Sequence, residues 1–346
     1  MKAQRREGLR LAWGLGLSTL LGSASAKPQA LPLQWRETAL LAYGTTIWLR
    51  AAHADAARAQ AGLDAAADAV RRVDQLMSLY RDDSELVQLN RDGVLHHPSA
   101  ELVAVLRLGL QVAAASGGAF DPTVQPLWRV WRAAQREGRQ PSHLELQQAR
   151  ALVGWRAVGV SDARIALARP GMALTLNGIA QGFAADQARA ALQRHGIAHA
   201  LLDTGEWLPM GRAPDDKPWR LGVADPRVAD PRTADPPIAD PRAADAIVAR
   251  LLADGRAIAC SSDDKCSFSA DRRDHHIFDP RSGRSPTQLA SVVVAAPSAA
   301  LADALTKPLF MGNADDALRL ARRWHVDVLV VDKAGRWTAS PGLRVA

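Results

Sequence analysis

The chain has 346 residues, 48% hydrophobic and 23% charged, a globular composition long enough to bury a large core in one domain or two closely packed ones. Its formal net charge of +7 is diffuse. No Lys/Arg stripe interleaves with aromatics, so nucleic acid is not an expected partner, whereas an anionic small ligand suits the mild positive balance.

Residues 1–26 read as a secretory leader: Arg5-Arg6, an apolar run from Leu11 to Leu21, and small residues at Ala24-Ser25-Ala26. The paired arginines suggest the twin-arginine route to the periplasm. The alternative is an uncleaved anchor, for which the run is short as a bilayer span, and no Cys follows it to carry a lipid. Losing Lys2, Arg5, Arg6, Arg10 and Glu7 with the leader lowers the net charge from +7 to +4.

Thr38 to Ala51 predicts either a strand pair or one long strand. Leu63, Ala66, Val70, Val73, Met77 and Tyr80 recur at three and four residues, one face of a helix. Asp82, Asp83 and Ser84 suit the end of that helix and the start of the next. His96-His97 beside Pro98 reads as a solvated loop pair. Ser99 caps a helix from Glu101 to Ser116, stopped by Gly117-Gly118. Ala119 to Thr123 forms a turn before a helix carrying Trp128 and Trp131, and either an ordinary helix-to-helix turn or close backbone approach to a ligand fits. His143 to Val153 is a short helix, with short strands near Val158 and Ile165.

A strand from Ala173 to Leu176 is expected to pass through Asn177-Gly178 into a helix ending at Gln193. Strand, glycine turn and helix put backbone N–H groups where a phosphate can bind, although the spacing is neither a Walker loop nor GxGxxG. A strand from His199 to Leu202 then ends in Asp203-Thr204-Gly205-Glu206. Val223 to Asp245 repeats ADPRx with a period of five, which matches neither helix nor strand and predicts an exposed insertion lengthening a hairpin loop. Strands follow at Ala246 to Leu252 and Ala257 to Ser261. His275 to Gly283 gathers imidazole, carboxylate and guanidinium at a turn, either an anion-binding loop or a plain reversal capped by Asp279.

Ser291 to Gly312 predicts a buried strand running straight into a helix with Asp303 in its first turns. That carboxylate either complements the helix dipole or holds a divalent metal shared with a phosphate. An amphipathic helix, Ala314 to Trp324, and a strand, Val326 to Val331, complete the chain. Cys260 and Cys266 could form a small-loop disulfide or remain free thiols. Helices and strands intersperse without strict βαβ repetition, so the expected class is α+β, mixed sheets with packed helices, rather than a Rossmann sheet. No nucleophile elbow, HExxH or kinase motif set is present.

Six segments in order, MSLYRDDSELVQLN, SGGAFDPTVQPL, TLNGIAQGFAAD, DTGE, HHIFDPRSG and SVVVAAPSAALADAL, together resemble the ApbE-type FAD:protein FMN transferases from about Tyr43 onward, interrupted by the repeat. The resemblance implies a T-fold-related architecture over residues 27–346, with the repeat as an insertion at 223–245. It also implies FAD and Mg²⁺, transfer of FMN to a Thr or Ser hydroxyl of an exported or membrane-bound flavoprotein, and release of AMP. Peripheral contact with a membrane is compatible with such a partner.

Carried over by motif, Tyr43 and Tyr80 lie along the flavin or adenine, while Ala119, Phe120, Asp121, His276 and Ile277 line the FAD site. Thr175 stands where the family has Asp, and Gln181 where it has Lys or Glu. Gly178 and Asp303 match metal-holding positions, and Asp303, Thr306 and His276 are the expected catalytic set. The family's last metal ligand is a Thr, but here that position is Lys307, with Thr306 beside it. An ammonium has donors only. Either Thr306 substitutes as ligand, or Lys307 replaces part of the metal's charge.

Overall fold

Tyr43 and Gly44 both have positive φ, 54° and 74°, the geometry of a two-residue turn whose twist matches paired strands. The N-terminal stretch is therefore a hairpin rather than one long strand: β1 (Gln34–Ala42) pairs antiparallel with β2 (Thr45–His53). The computed structural model describes residues 32–227 and 247–346. The leader and most of the ADPRx repeat lie outside the described residues. Leu33–Ala346 form one compact unit.

Asp55 caps α1 (Ala56–Met77), whose buried face is Leu63, Ala66, Val70, Val73 and Met77. The expected helix was longer. It ends at Ser78, whose backbone is extended, so Tyr80 falls outside it. Ser84 caps α2 (Glu85–Asp92), followed by β3 (Val94–His96). Ser99 caps α3 (Ala100–Ala115) as expected. Then come α4 (Gln125–Arg136), α5 (His143–Ala151) with a capping box, β4 (Val158–Val160) and β5 (Arg164–Leu167).

Residues 173–176 are not a strand. The Asn90 side chain brackets Leu174, donating to its carbonyl at 2.8 Å and accepting from its N–H at 2.6 Å, and Thr175 N–H donates to Pro122 O at 2.8 Å. Side-chain and turn partners replace a ladder, which periodicity does not reveal.

The chain continues through α6 (Ala180–Arg194), β6 (His199–Asp203), β7 (Trp207–Met210) and β8 (Arg220–Ala224). Val223 and Ala224 thus belong to a strand, not to the insertion. β9 (Ile247–Leu252) pairs antiparallel with β8, the flanks expected of a lengthened hairpin. β10 (Ala257–Ser262), β11 (Leu289–Ala296), α7 (Ala299–Phe310), α8 (Ala314–Arg323), β12 (Asp327–Asp332) and β13 (Trp337–Ala339) follow. Both cysteines are free thiols.

The main sheet has eight strands in the order β1-β2-β6-β7-β10-β11-β12-β13, and every pairing in it is antiparallel. β11 is buried along its whole length because both its faces are covered. Val292 and Val294 join the large core of α1, α6 and α7, while Val293 and Ala295 pack with Leu221, Val223, Ala249 and Leu251 of the small β8–β9 sheet. A strand with two covered faces reads as a continuous apolar run rather than an alternation. β11 leads through Pro297-Ser298 directly into α7, which carries Asp303.

A third, aromatic cluster fastens the long segment between β10 and β11. Trp131 stacks on Phe268 and Phe278 with ring centroids 5.5 and 6.3 Å apart, and its indole N–H donates to Gly283 O at 3.1 Å.

Candidate active site

The start of α7 is sealed by protein. Ser298 accepts from Leu301 N–H, while Asp186 of α6 accepts from Ala299 N–H and Ala300 N–H, each at 3.0 Å, and from the Ser298 hydroxyl at 2.7 Å. The partial positive charge of this helix end is therefore answered by Asp186. Asp303, the fifth residue of α7, is not the dipole's counter-charge.

Asp303 is 1% exposed and fully engaged. One carboxylate oxygen accepts from Gly182 N–H at 3.3 Å, and the other accepts from Lys307 Nζ at 2.6 Å. Lys307 also donates to the Asp303 carbonyl at 3.1 Å. Thr306, completely buried, donates its hydroxyl to that same carbonyl at 2.7 Å. Its only proton is then committed, so in the 2.7 Å contact between the two hydroxyls Ser261 donates and Thr306 accepts. The Lys307 stem runs against Gly178, where a Cβ would lie 2.8 Å from Lys307 Cε.

Glu206 completes the cluster and was not among the expected site residues. It is 5% exposed and accepts from Cys260 N–H at 2.9 Å. Burial, then the nearby charge of Asp303, push its carboxyl well above the usual range, with Lys307 opposing. The sequence signal was available, an acid directly after the Gly205 turn, but nothing local said it would be buried. The turn itself is tied to α6: the Thr204 hydroxyl donates to Gln181 O at 3.0 Å. Gly205 has φ 96°, and a Cβ on it would sit 2.4 Å from the Gln181 amide nitrogen. Gln181 thus packs on the Asp203–Glu206 turn.

The second group of expected residues forms a separate knot. Asp121 accepts from Thr123 N–H at 2.8 Å, from the Thr123 hydroxyl at 2.6 Å and from Trp155 N–H at 3.0 Å. Burial raises its carboxyl, although these bonds oppose the shift. Ala119 and Phe120 are buried beside it, and Thr175 is joined to this turn through Pro122.

His276 donates Nδ1–H to Cys266 O at 3.2 Å, because a carbonyl can only accept. Burial depresses its pKa to about 4, and the Lys307 charge pushes the same way. The ring is therefore neutral near pH 7, with its lone pair on Nε2. His275, the first residue of the turn segment read from the sequence, is fully buried between Pro286 O and Ile277 N–H, and burial likewise holds it at about 4. Ile277 is 3% exposed.

Tyr43 is half-buried: its hydroxyl donates to Val70 O at 3.2 Å, and burial followed by the Asp74 charge raises its pKa. Tyr80 is 73% exposed beside the Tyr43-Gly44 turn. The structure thus brings Gly178, Asp303, Thr306 and Lys307 into one cluster and ties Thr175 to Asp121, while Tyr80 stays at the surface.

The donor set does not fit Mg²⁺. Lys307 has no lone pair and its ammonium sits on the Asp303 oxygen, while the Thr306 hydroxyl is completely buried between the Asp303 carbonyl and the Ser261 hydroxyl. Among the described residues, no group of three or more His, Cys, Asp or Glu is placed to hold a metal ion. A divalent ion of this kind takes an octahedron of oxygens.

Known proteins place this geometry in a family. The FAD:protein FMN transferase of Haemophilus influenzae is 28% identical over 275 residues, 76% of this chain and 75% of that one. That of Treponema pallidum is 29% identical over 308 residues, covering 83% and 82%. The apo form of the Pseudomonas stutzeri flavinyl transferase ApbE superposes with a TM-score of 0.74 at 25% identity, over 90% of this chain and 96% of that one. The ApbE protein of Thermotoga maritima shares the fold with a TM-score of 0.76 at 24% identity, over 89% and 97%. The profile described as the ApbE family matches residues 43–330, and with the α6–α7 cluster inside that span the chain belongs to the ApbE family.

Proposed function

We propose that the protein is an FAD:protein FMN transferase that moves FMN from FAD onto a Thr or Ser hydroxyl of a separate exported or membrane-bound flavoprotein, releasing AMP. Relatives named FAD:protein FMN transferase align over about three-quarters of both chains. The observation that carries the reading is the buried Asp303–Lys307 pair, facing Gly178 and flanked by Glu206 at the junction of α6 and α7. Exposed ion pairs contribute little to stability, and a buried acid with shifted protonation such as Glu206 is the kind of group that concentrates at functional sites.

In the transfer, the acceptor hydroxyl oxygen bonds to the FMN phosphorus as the bond from that phosphorus to the bridging pyrophosphate oxygen breaks. AMP leaves with the bridging oxygen, and the hydroxyl proton passes to a base. Neutral His276 has the lone pair for that proton on Nε2. Such reactions depend on positioning and charge neutralisation rather than covalent chemistry by the protein. The resemblance implies Mg²⁺, but the residues of this site do not fit the ion. The leader supports a periplasmic location, and peripheral membrane contact is compatible with it; no helix among the described residues is long and apolar enough to cross a membrane.

One observation favours a second reading. With Lys307 at the family's Thr position, water could replace the protein acceptor, giving FMN and AMP, or FAD could be held without turnover. Incubating residues 27–346 with FAD, with and without Mg²⁺, and a Thr-bearing acceptor peptide separates these readings. An FMN–peptide mass with equal AMP is expected. AMP without the adduct selects hydrolysis, and neither product with retained FAD selects binding alone.

A further inference from the structure

We propose that Lys307 is the site's built-in cation, a catalytic residue that faces the dinucleotide's pyrophosphate in place of a divalent metal; this rests on the FAD reading above. Three observations support it. First, the ammonium has three protons, and two are committed, to the Asp303 carboxylate at 2.6 Å and the Asp303 carbonyl at 3.1 Å. The third is left for an anion.

Second, exposure is asymmetric. The Asp303 side chain is 2% exposed while that of Lys307 is 21% exposed, so the carboxylate is sealed and the cation retains a face. An ordinary i,i+4 pair on a helix surface leaves both groups in water.

Third, the lysine's place is built into its surroundings. Its stem fills the space a side chain at Gly178 would need, the Cβ falling 2.8 Å from Cε. Gly178 begins the turn into α6, and α6 in turn donates Gly182 N–H to the far oxygen of Asp303. The pair is one charge short of a divalent ion on the same carboxylate, so this site neutralises a diphosphate less strongly but without any metal.

The test uses wild-type protein with FAD in EDTA and in Mg²⁺, reading bound flavin by dialysis and AMP by chromatography. Flavin retention and AMP formation in EDTA within about twofold of the Mg²⁺ values are expected, since a missing essential metal costs orders of magnitude. AMP formation or flavin retention only after adding Mg²⁺ overturns the proposal while leaving the transferase reading intact. No AMP and no flavin in either condition ends that reading, and this proposal with it. Retention in both conditions without AMP upholds Lys307 as the cation for binding and removes its catalytic part.

Calorimetry with Mg²⁺ alone supplies a readout independent of turnover. No heat is expected from wild type, whereas Lys307→Thr should bind Mg²⁺ and show a melting temperature that rises with it. Heat of Mg²⁺ binding to wild type overturns the proposal even if the variant does not fold.

Discussion

Asp303 holds Lys307 through two atoms and Gly182 through a third, so removing its carboxylate leaves the Lys307 ammonium without its counter-charge. Asp303→Ala is expected to lower AMP formation by at least about 100-fold and stability by about 3 kcal/mol, because breaking one partner of a buried pair leaves an uncompensated charge. Product assays and denaturant melts check both. His275 and His276 titrate in the unfolded chain near 6.5 but in the fold only near 4. The unfolded state therefore binds more protons in that window, and the two rings subtract stability as pH falls from about 6.5 to 4. Glu206, raised instead of lowered, contributes with the opposite sign as its carboxyl takes up a proton. NMR isolates the rings: both Cε1 signals should stay at neutral-imidazole positions down to about pH 5. Movement near pH 6.5 would show that burial does not control them. Asp303 and Lys307 were legible as positions because their segment resembles the family's metal-holding helix, but that they pair with each other, four residues apart on one helix face, was not read. Glu206 was not, since its burial comes from strands and helices distant in sequence.

At the level of elements, the site depends on how closely α6 approaches α7. A Cβ on Gly182 would lie 2.2 Å from Ala299 O, backbone that cannot swing aside. Gly182→Ala is expected to cost about 2–3 kcal/mol and to shift Asp303, reducing transfer more than its melting temperature alone would suggest. Asp186→Ala removes three hydrogen bonds from the start of α7 and should cost about 1–2 kcal/mol while leaving the Lys307 pair made. Thermal melts beside product assays separate the two variants. The helices were largely readable, because Ser84 and Ser99 each sit immediately before an apolar period and each caps a helix. The strand expected at 173–176 failed for a definite reason: Asn90, 84 residues away in sequence, supplies bonds that a neighbouring strand would otherwise have made.

Over the whole molecule, the all-antiparallel main sheet was only partly visible, because β7 and β13 are short and lack alternation. The family was legible because six segments keep their order despite the repeat between them. Residues 228–246 interrupt a hairpin whose strands pair without them, from Arg220–Leu252 to Ala224–Ile247. Replacing them with a short glycine turn should leave the melting temperature unchanged and transfer within about twofold, since loop length adds closure entropy only slowly. The Trp131–Phe268–Phe278 stack has a different reach. Its Trp131–Gly283 bond spans 152 positions, and the segment it fastens carries both histidines, while Asp303 comes later still. A ribosome-bound chain that has emerged only as far as α6 thus lacks the histidines, the lysine and the aspartate together. Flavin loading must wait until synthesis is nearly complete, and C-terminally truncated fragments should emerge colourless.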